Sequence, residues 1–225
     1  MVGFIRALQD YDNPNSLASK MRRGRARFIR PLIERAFAES GACRILDLGG
    51  RPEYWRIFER EFLEAHRVHV TTVNLEDQAE SGDPMFAQVR GDACALDIDD
   101  GAFDLTHSNS VLEHVGTWGD MERFAGEMRR TGKRYYAQTP YFWFPIEPHF
   151  SAPFFHWLPE STRARLLLKR AHGFMTKAAD MGEAMRAVQH AQLVSRAQFQ
   201  ALFPDAEHRS ERFAGLTKSL VAYRG

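Results

Sequence analysis

Cysteine is scarce in this chain: two, Cys43 and Cys94, in 225 residues. Both lie beside expected strands without metal-ligand spacing, so they read as reduced core thiols and no metal is expected. An excess of one charge is missing too, since Lys+Arg 30 against Asp+Glu 29 leaves a formal net charge of +1. That balance builds no global field to select duplex nucleic acid or a membrane surface. No apolar run is long enough to span a bilayer or to act as a signal peptide, which makes a cytoplasmic location the expectation. Repeats, low-complexity tracts and interdomain linkers are also lacking. One α/β domain over residues 1–225, with its own core, is the expected organisation.

The stretch that organises the chain is Arg44 to Trp55, RILDLGGRPEYW. The apolar run Ile45-Leu46-Asp47-Leu48 ends at Gly49-Gly50, the pattern of a buried strand running into a tight turn. Glycine there permits a sharp turn and lets a ligand approach without a Cβ in the way. Downstream, Glu53 to Leu63 places Trp55, Phe58 and Phe62 at helical spacing. Strand, glycine turn and helix is the layout with which open α/β sheets bind nucleotide-like ligands at their carboxyl edge.

Upstream, Asp12 to Ser16 reads as a turn, and residues 16–40 as a helix interrupted or kinked near Gly24 and Pro31, an N-terminal extension over 1–40. The basic residues Lys20, Arg22, Arg23, Arg25, Arg27 and Arg30 cluster there. A solvated helix face accounts for them, while contact with phosphate or anionic lipid stays open because arginine forks match phosphate oxygens.

Beyond the first unit, His69–Leu75, Ala87–Arg90 and Phe103–Thr106 read as three more strands, a succession that favours a parallel sheet. Ser110 to Glu113 fits a helix capping box, with Glu113 reaching back to the Ser110 amide. His114, in the first turn of that helix, reads as a packed or capping residue rather than a base.

The ordered succession LDLGG (Leu46 to Gly50), VNLED (Val73 to Asp77), GDA (Gly91 to Ala93) and FDLTHSNSVLEHV (Phe103 to Val115) resembles the class I S-adenosylmethionine-dependent methyltransferases. The resemblance covers most of Arg44 to Pro140 and resumes near the C-terminus. It implies a Rossmann-like, doubly wound, mostly parallel seven-stranded α/β sheet with an antiparallel last strand, and S-adenosylmethionine lying across its carboxyl edge. It assigns Asp47, Gly49 and Gly50 to the amino-acid moiety, Asn74 to the ribose, Asp92 and Ala93 to the adenine, and Ser108 to the strand flooring the site. Two departures stand out. Arg51-Pro52-Glu53 replaces the second half of the glycine motif, with proline best suited to a position just inside the helix start. Asn74 stands where an acidic residue is usual, which brings Glu76 forward as a second ribose candidate.

After a fifth strand over Lys133–Gln138 comes YFWFPIEPHFSAPFFHWLP, Tyr141 to Pro159, whose prolines forbid a continuous helix. Pro145 to His149 is similar to a PxEPH-type loop that follows the fifth strand in a bacterial subset of these methyltransferases. The resemblance makes it a wall of the acceptor pocket, part of a helical and aromatic cap over 140–194; a plain hydrophobic brace is the competing reading. Glu147 and His149 are therefore the catalytic candidates, because a hydroxyl or protonated-amine acceptor must lose a proton and histidine titrates near neutral pH. Residues 160–190 read as helical, Ser195–Gln198 as a capping box, and Ala206–Phe213 and Leu216–Tyr223 as two terminal strands joined through Gly215. The implied activity is methyl transfer to a small-molecule, glycan- or lipid-linked acceptor, with a homo-oligomer left open. The alternatives are a catalytically silent adenosylmethionine-binding scaffold and a dinucleotide-dependent oxidoreductase; the latter lacks its third glycine.

Overall fold

The computed structural model describes residues 17–225 apart from 148, 151, 173 and 174. The expected Asp12–Ser16 turn, Pro148 and the side chain of Lys20 therefore lie outside what is described. The elements are α1 (Leu17–Ser40), β1 (Cys43–Leu48), a 3-10 turn (Pro52–Ile57), α2 (Arg60–Ala65), β2 (Val68–Asn74), β3 (Phe86–Arg90) and β4 (Phe103–Asn109). A 3-10 turn (Leu112–His114), α3 (Trp118–Thr131) and β5 (Gly132–Pro140) follow. The chain continues through β6 (Ile146–Glu147), β7 (Ala152–Pro153), a 3-10 turn (Phe155–Trp157), α4 (Glu160–Lys169) and α5 (Met181–Gln189). It closes with α6 (Arg196–Leu202), β8 (Glu207–Phe213) and β9 (Leu216–Arg224).

Seven strands form one sheet in the order β3-β2-β1-β4-β5-β9-β8. Pairing is parallel from β3 to β5, and β9 runs antiparallel to both β5 and β8. This is the mixed sheet with one antiparallel strand expected from the motif order. The chain grows outward from β1 in one direction and from β4 in the other, so the sheet opens between their carboxyl ends.

Alternation along β1 sends Ile45 and Leu46 into different apolar layers. Ile45 packs with Ile29, Leu32 and Ile33 of α1, and Leu46 with Phe124 and Met128 of α3 and Phe199 of α6. Asp47 falls on the Ile45 side and is fully buried. A third apolar cluster, with Phe150, Phe155, Leu167 and Val188, lies within the segment between β5 and α6.

Two local expectations change. A single helix, α1, runs through both Gly24 and Pro31; burial of Ile29, Leu32, Ile33 and Ala36 outweighs the roughly 3 kcal/mol that an interior proline costs. The helix expected over Glu53–Leu63 is instead a 3-10 turn and a separate α2, divided where Phe58 is extended. Pro52 sits in the first turn of that 3-10 segment, where its missing amide hydrogen costs nothing. The capping box at Ser195–Gln198 is present with both reciprocal hydrogen bonds.

Arg25 does not belong to a solvated face. Its guanidinium is buried against Glu211, with Nε donating to Oε1 at 3.0 Å and Nη2 to Oε2 at 2.9 Å, and Nη1 reaches Asn109 Oδ1 at 2.5 Å. Arg23 and Arg27 are exposed, while Arg30 pairs with Glu59 and covers the Phe62 ring at 3.9 Å. Arg25→Met is expected to cost about 3–5 kcal/mol, since it strands a buried carboxylate. Denaturant titration checks this, and Arg25→Met combined with Glu211→Leu should recover much of the loss. A single-variant cost below about 1 kcal/mol would equal an exposed pair and contradict the buried one.

Candidate active site

At the carboxyl edge of β1, β2 and β3 lies a cleft of about 820 Å³, within the usual range for small-molecule sites. Gly49, Asn74, Glu76, Asp92 and Ala93 line it. The sequence separates these residues by up to 44 positions, and the parallel sheet brings them to one rim. Asp47, Gly50 and Ser108, expected in the same site, are not among the lining residues.

Gly49 has φ +70°, and a Cβ there would stand 2.5 Å from Val111 Cγ2. Only glycine combines that backbone geometry with that clearance. The next residue is tighter still: a Cβ on Gly50 would meet Asp47 Oδ2 at 1.9 Å. Asp47 cannot give way, because Oδ2 accepts from Trp55 Nε1 at 2.9 Å and Oδ1 bonds His107 Nδ1 at 2.6 Å. The second contact follows from register, since Asp47 and His107 are partners across β1 and β4. Asp47 is thus a post beneath the glycine turn, with both oxygens taken by the protein. Ser108 is a tie of the same kind, its Oγ donating to the Leu48 carbonyl at 3.2 Å. Gly50→Ala should therefore cost about 1–3 kcal/mol, as overpacking does, and weaken cofactor binding. Thermal melting and calorimetry check this; a variant matching the parent in both would show that the loop yields freely.

Asn74 has a reason not to be acidic. Its Nδ2 donates to the Gly50 carbonyl at 3.0 Å, which a carboxylate could not do, and Oδ1 is left to accept. Asp92 Oδ1 accepts from the Cys94 amide at 2.8 Å, fixing the GDA turn. Glu76 is exposed on the loop after β2. Burial, with Asp92 and Asp120 adding to it, pushes the Cys94 thiol at this rim up to about 11.

The second half of the site is the region around His114, which also lines the cleft. The expected Ser110 capping box is not formed. Ser110 is left-handed at φ +56°, its Oγ donates to Gln138 Oε1 at 3.0 Å, and Glu113 points into the protein instead. Glu113 Oε2 accepts from Thr139 Oγ1 at 2.9 Å, while Oε1 is buried without a partner. Burial pushes this carboxyl up to about 6.

Opposite stands the β6–β7 hairpin with Glu147 and His149. Buried Glu147 accepts from the Phe150 amide through Oε2 at 2.5 Å and from His149 Nδ1 through Oε1 at 2.6 Å. His149 Nε2 lies 3.1 Å from His114 Nε2. Burial pulls the His149 imidazole down, but the bond to Glu147 and its charge prevail and raise it. Burial and the neighbouring His149 lower His114. Spacing alone missed Glu113 and His114 because a convincing capping pattern covered them. The signal left in the sequence was a glutamate and a histidine in adjacent positions directly after a strand end.

A family profile described as a methyltransferase domain matches residues 46–134, the span from β1 to the start of β5 that builds the cleft. Over that span the chain is similar to a methyltransferase domain, and the strand order is the one its motifs led one to expect. Comparison with curated proteins gave no match. Among solved structures, the chain is similar to Haemonchus contortus phosphoethanolamine N-methyltransferase 2 in complex with S-adenosyl-L-methionine. That likeness has 15% identity and a TM-score of 0.48 and covers 75% of this chain, which spans only 35% of that one. The 1,6-didemethyltoxoflavin-N1-methyltransferase of Burkholderia thailandensis is similar at 15% identity over 87% of this chain and 77% of that one, with a TM-score of 0.49. Likenesses this distant set neither acceptor nor chemistry for this chain. No helix among the described residues is long and apolar enough to cross a membrane.

Proposed function

We propose that this chain transfers the methyl group of S-adenosylmethionine to a small-molecule acceptor, glycan- or lipid-linked ones included, held between the cleft and the 141–190 segment. The observation that carries this reading is the continuity of the two halves: His114 lines the cofactor cleft and also touches His149 of the hairpin. The cofactor, when bound, supplies a methyl group already activated on a sulfonium. The residues supporting its binding are Gly49, through absence of a side chain, Asn74 and Glu76 for ribose hydroxyls, and Asp92 with Ala93 for the adenine. Asp47, Gly50 and Ser108 support the same site from beneath by fixing the turn.

What remains for the protein is orientation and proton removal. Fixing an acceptor in attack geometry is worth up to about 7–11 kcal/mol in favourable systems. His149 takes the acceptor's proton, and Glu147 holds its Nδ1–H and stabilises the imidazolium, a division of labour worth about 10²–10⁴-fold. The aromatic residues of Tyr141–Pro159 exclude water from that step.

Release of adenosylhomocysteine from a panel of hydroxyl and amine acceptors tests the reading. Turnover is expected with at least one small acceptor. Tight cofactor binding with no release across the panel would favour a silent scaffold.

A further inference from the structure

Three atoms able to accept meet at the junction of cleft and hairpin with at most one proton to share between them. His114 Nδ1 lies 3.0 Å from the His190 carbonyl oxygen, which can only accept, so Nδ1 carries the ring proton and Nε2 presents a lone pair. His149 Nδ1 faces the Glu147 carboxylate at 2.6 Å, which orients that ring in the same way. The two Nε2 atoms are nevertheless 3.1 Å apart. Beside them is Glu113, 1% exposed, with Oε1 unpartnered. One ligand atom from each of Glu113, His114 and His149 falls within 4.8 Å of the others. A buried polar group left unpaired costs about 1–3 kcal/mol. One proton on His149 Nε2 would satisfy the imidazole pair but leave Glu113 Oε1 as it is. A cation satisfies all three.

We propose that Glu113, His114 and His149 bind a divalent transition-metal cation of the Zn²⁺ type. Two imidazole nitrogens and one carboxylate suit such an ion, whereas Mg²⁺ and Ca²⁺ favour all-oxygen sets. Bonds of about 2.0–2.1 Å in a tetrahedron put neighbouring ligands about 3.3 Å apart, close to the observed Nε2–Nε2 separation. The outer groups match as well. Metal-bound histidines commonly donate their second N–H to a carboxylate or a carbonyl, and here Glu147 and the His190 carbonyl take those places. Three protein ligands leave a fourth position for water or an oxygen donor. That the acceptor's hydroxyl oxygen takes it, the bound cation acidifying the hydroxyl so that its proton passes to solvent water instead of His149, rests on the methyl-transfer reading; the ion site itself does not.

The test is titration of the chelator-treated full chain with Zn²⁺ by calorimetry and with Co²⁺ by visible absorption. One equivalent should bind, with the ligand-field bands of a low-coordinate Co²⁺ site, and Zn²⁺ but not Mg²⁺ should raise the melting temperature. Glu113→Gln and His149→Asn should each weaken binding by more than about tenfold, and Glu147→Gln by about 10–100-fold. Absence of stoichiometric binding by the folded parent chain overturns the proposal whatever the variants do. So does unchanged affinity in both ligand variants. Cofactor calorimetry on the same samples separates this failure from failure of the methyl-transfer reading, since S-adenosylmethionine binding does not require the ion.

Discussion

Asp47→Ala should abolish S-adenosylmethionine binding and lower the melting temperature together. The carboxylate serves two buried partners, Trp55 Nε1 and His107 Nδ1, and each orphaned group costs about 1–3 kcal/mol. The combined loss, roughly 2–6 kcal/mol, is a large part of the 5–15 kcal/mol typical of a folded domain. Released from below, the Gly49–Gly50 turn loses the shape that keeps its backbone open to the cofactor. Trp55→Phe, which removes one donor and keeps most of the ring, should fall between the parent and Asp47→Ala in both measurements. Thermal melting and calorimetry on the same samples decide the matter. Lost affinity at an unchanged melting temperature would make Asp47 a direct cofactor ligand rather than a support.

His149→Gln should lower kcat by about 10²–10⁴-fold, the usual weight of a positioned acid–base group, with cofactor affinity unchanged. That range equals about 2.7–5.5 kcal/mol of barrier. Glutamine keeps a polar tip but cannot take a proton near neutral pH. The split is expected because His149 belongs to the hairpin and is not among the residues lining the cofactor cleft. The measurement is single-turnover methyl transfer beside calorimetric cofactor titration, using an acceptor identified by adenosylhomocysteine release. Full activity would remove His149 from the chemistry, and a parallel fall in cofactor affinity would make it a structural residue.

Several features were legible because they are local. A run such as Ile45–Leu48 closed by two glycines, or Ser195 three residues before Gln198, fixes its own backbone through patterning and capping. The same locality misled at Ser110–Glu113, where a good capping pattern lost to a better outlet. Thr139, at the end of β5, gives Glu113 a buried hydrogen bond, and Gln138 takes the hydroxyl of Ser110. Composition also misled at Arg25, where Glu211, 186 residues away, supplies a buried counter-charge.

The sequence by itself determined the order of strands and turns, hence the mostly parallel sheet and the glycine turn after β1. These follow from apolar periodicity and turn chemistry, which act between near neighbours. Tertiary structure alone decided which named residues face the cleft. Strand register put Asp47 against His107 and below the turn, while Asn74 and Asp92 reached its rim. It also decided that Glu113 and His114, from the turn after β4, meet His149 from a hairpin 35 residues on. No spacing rule covers that meeting, because long-range packing of the hairpin against the sheet's edge creates it.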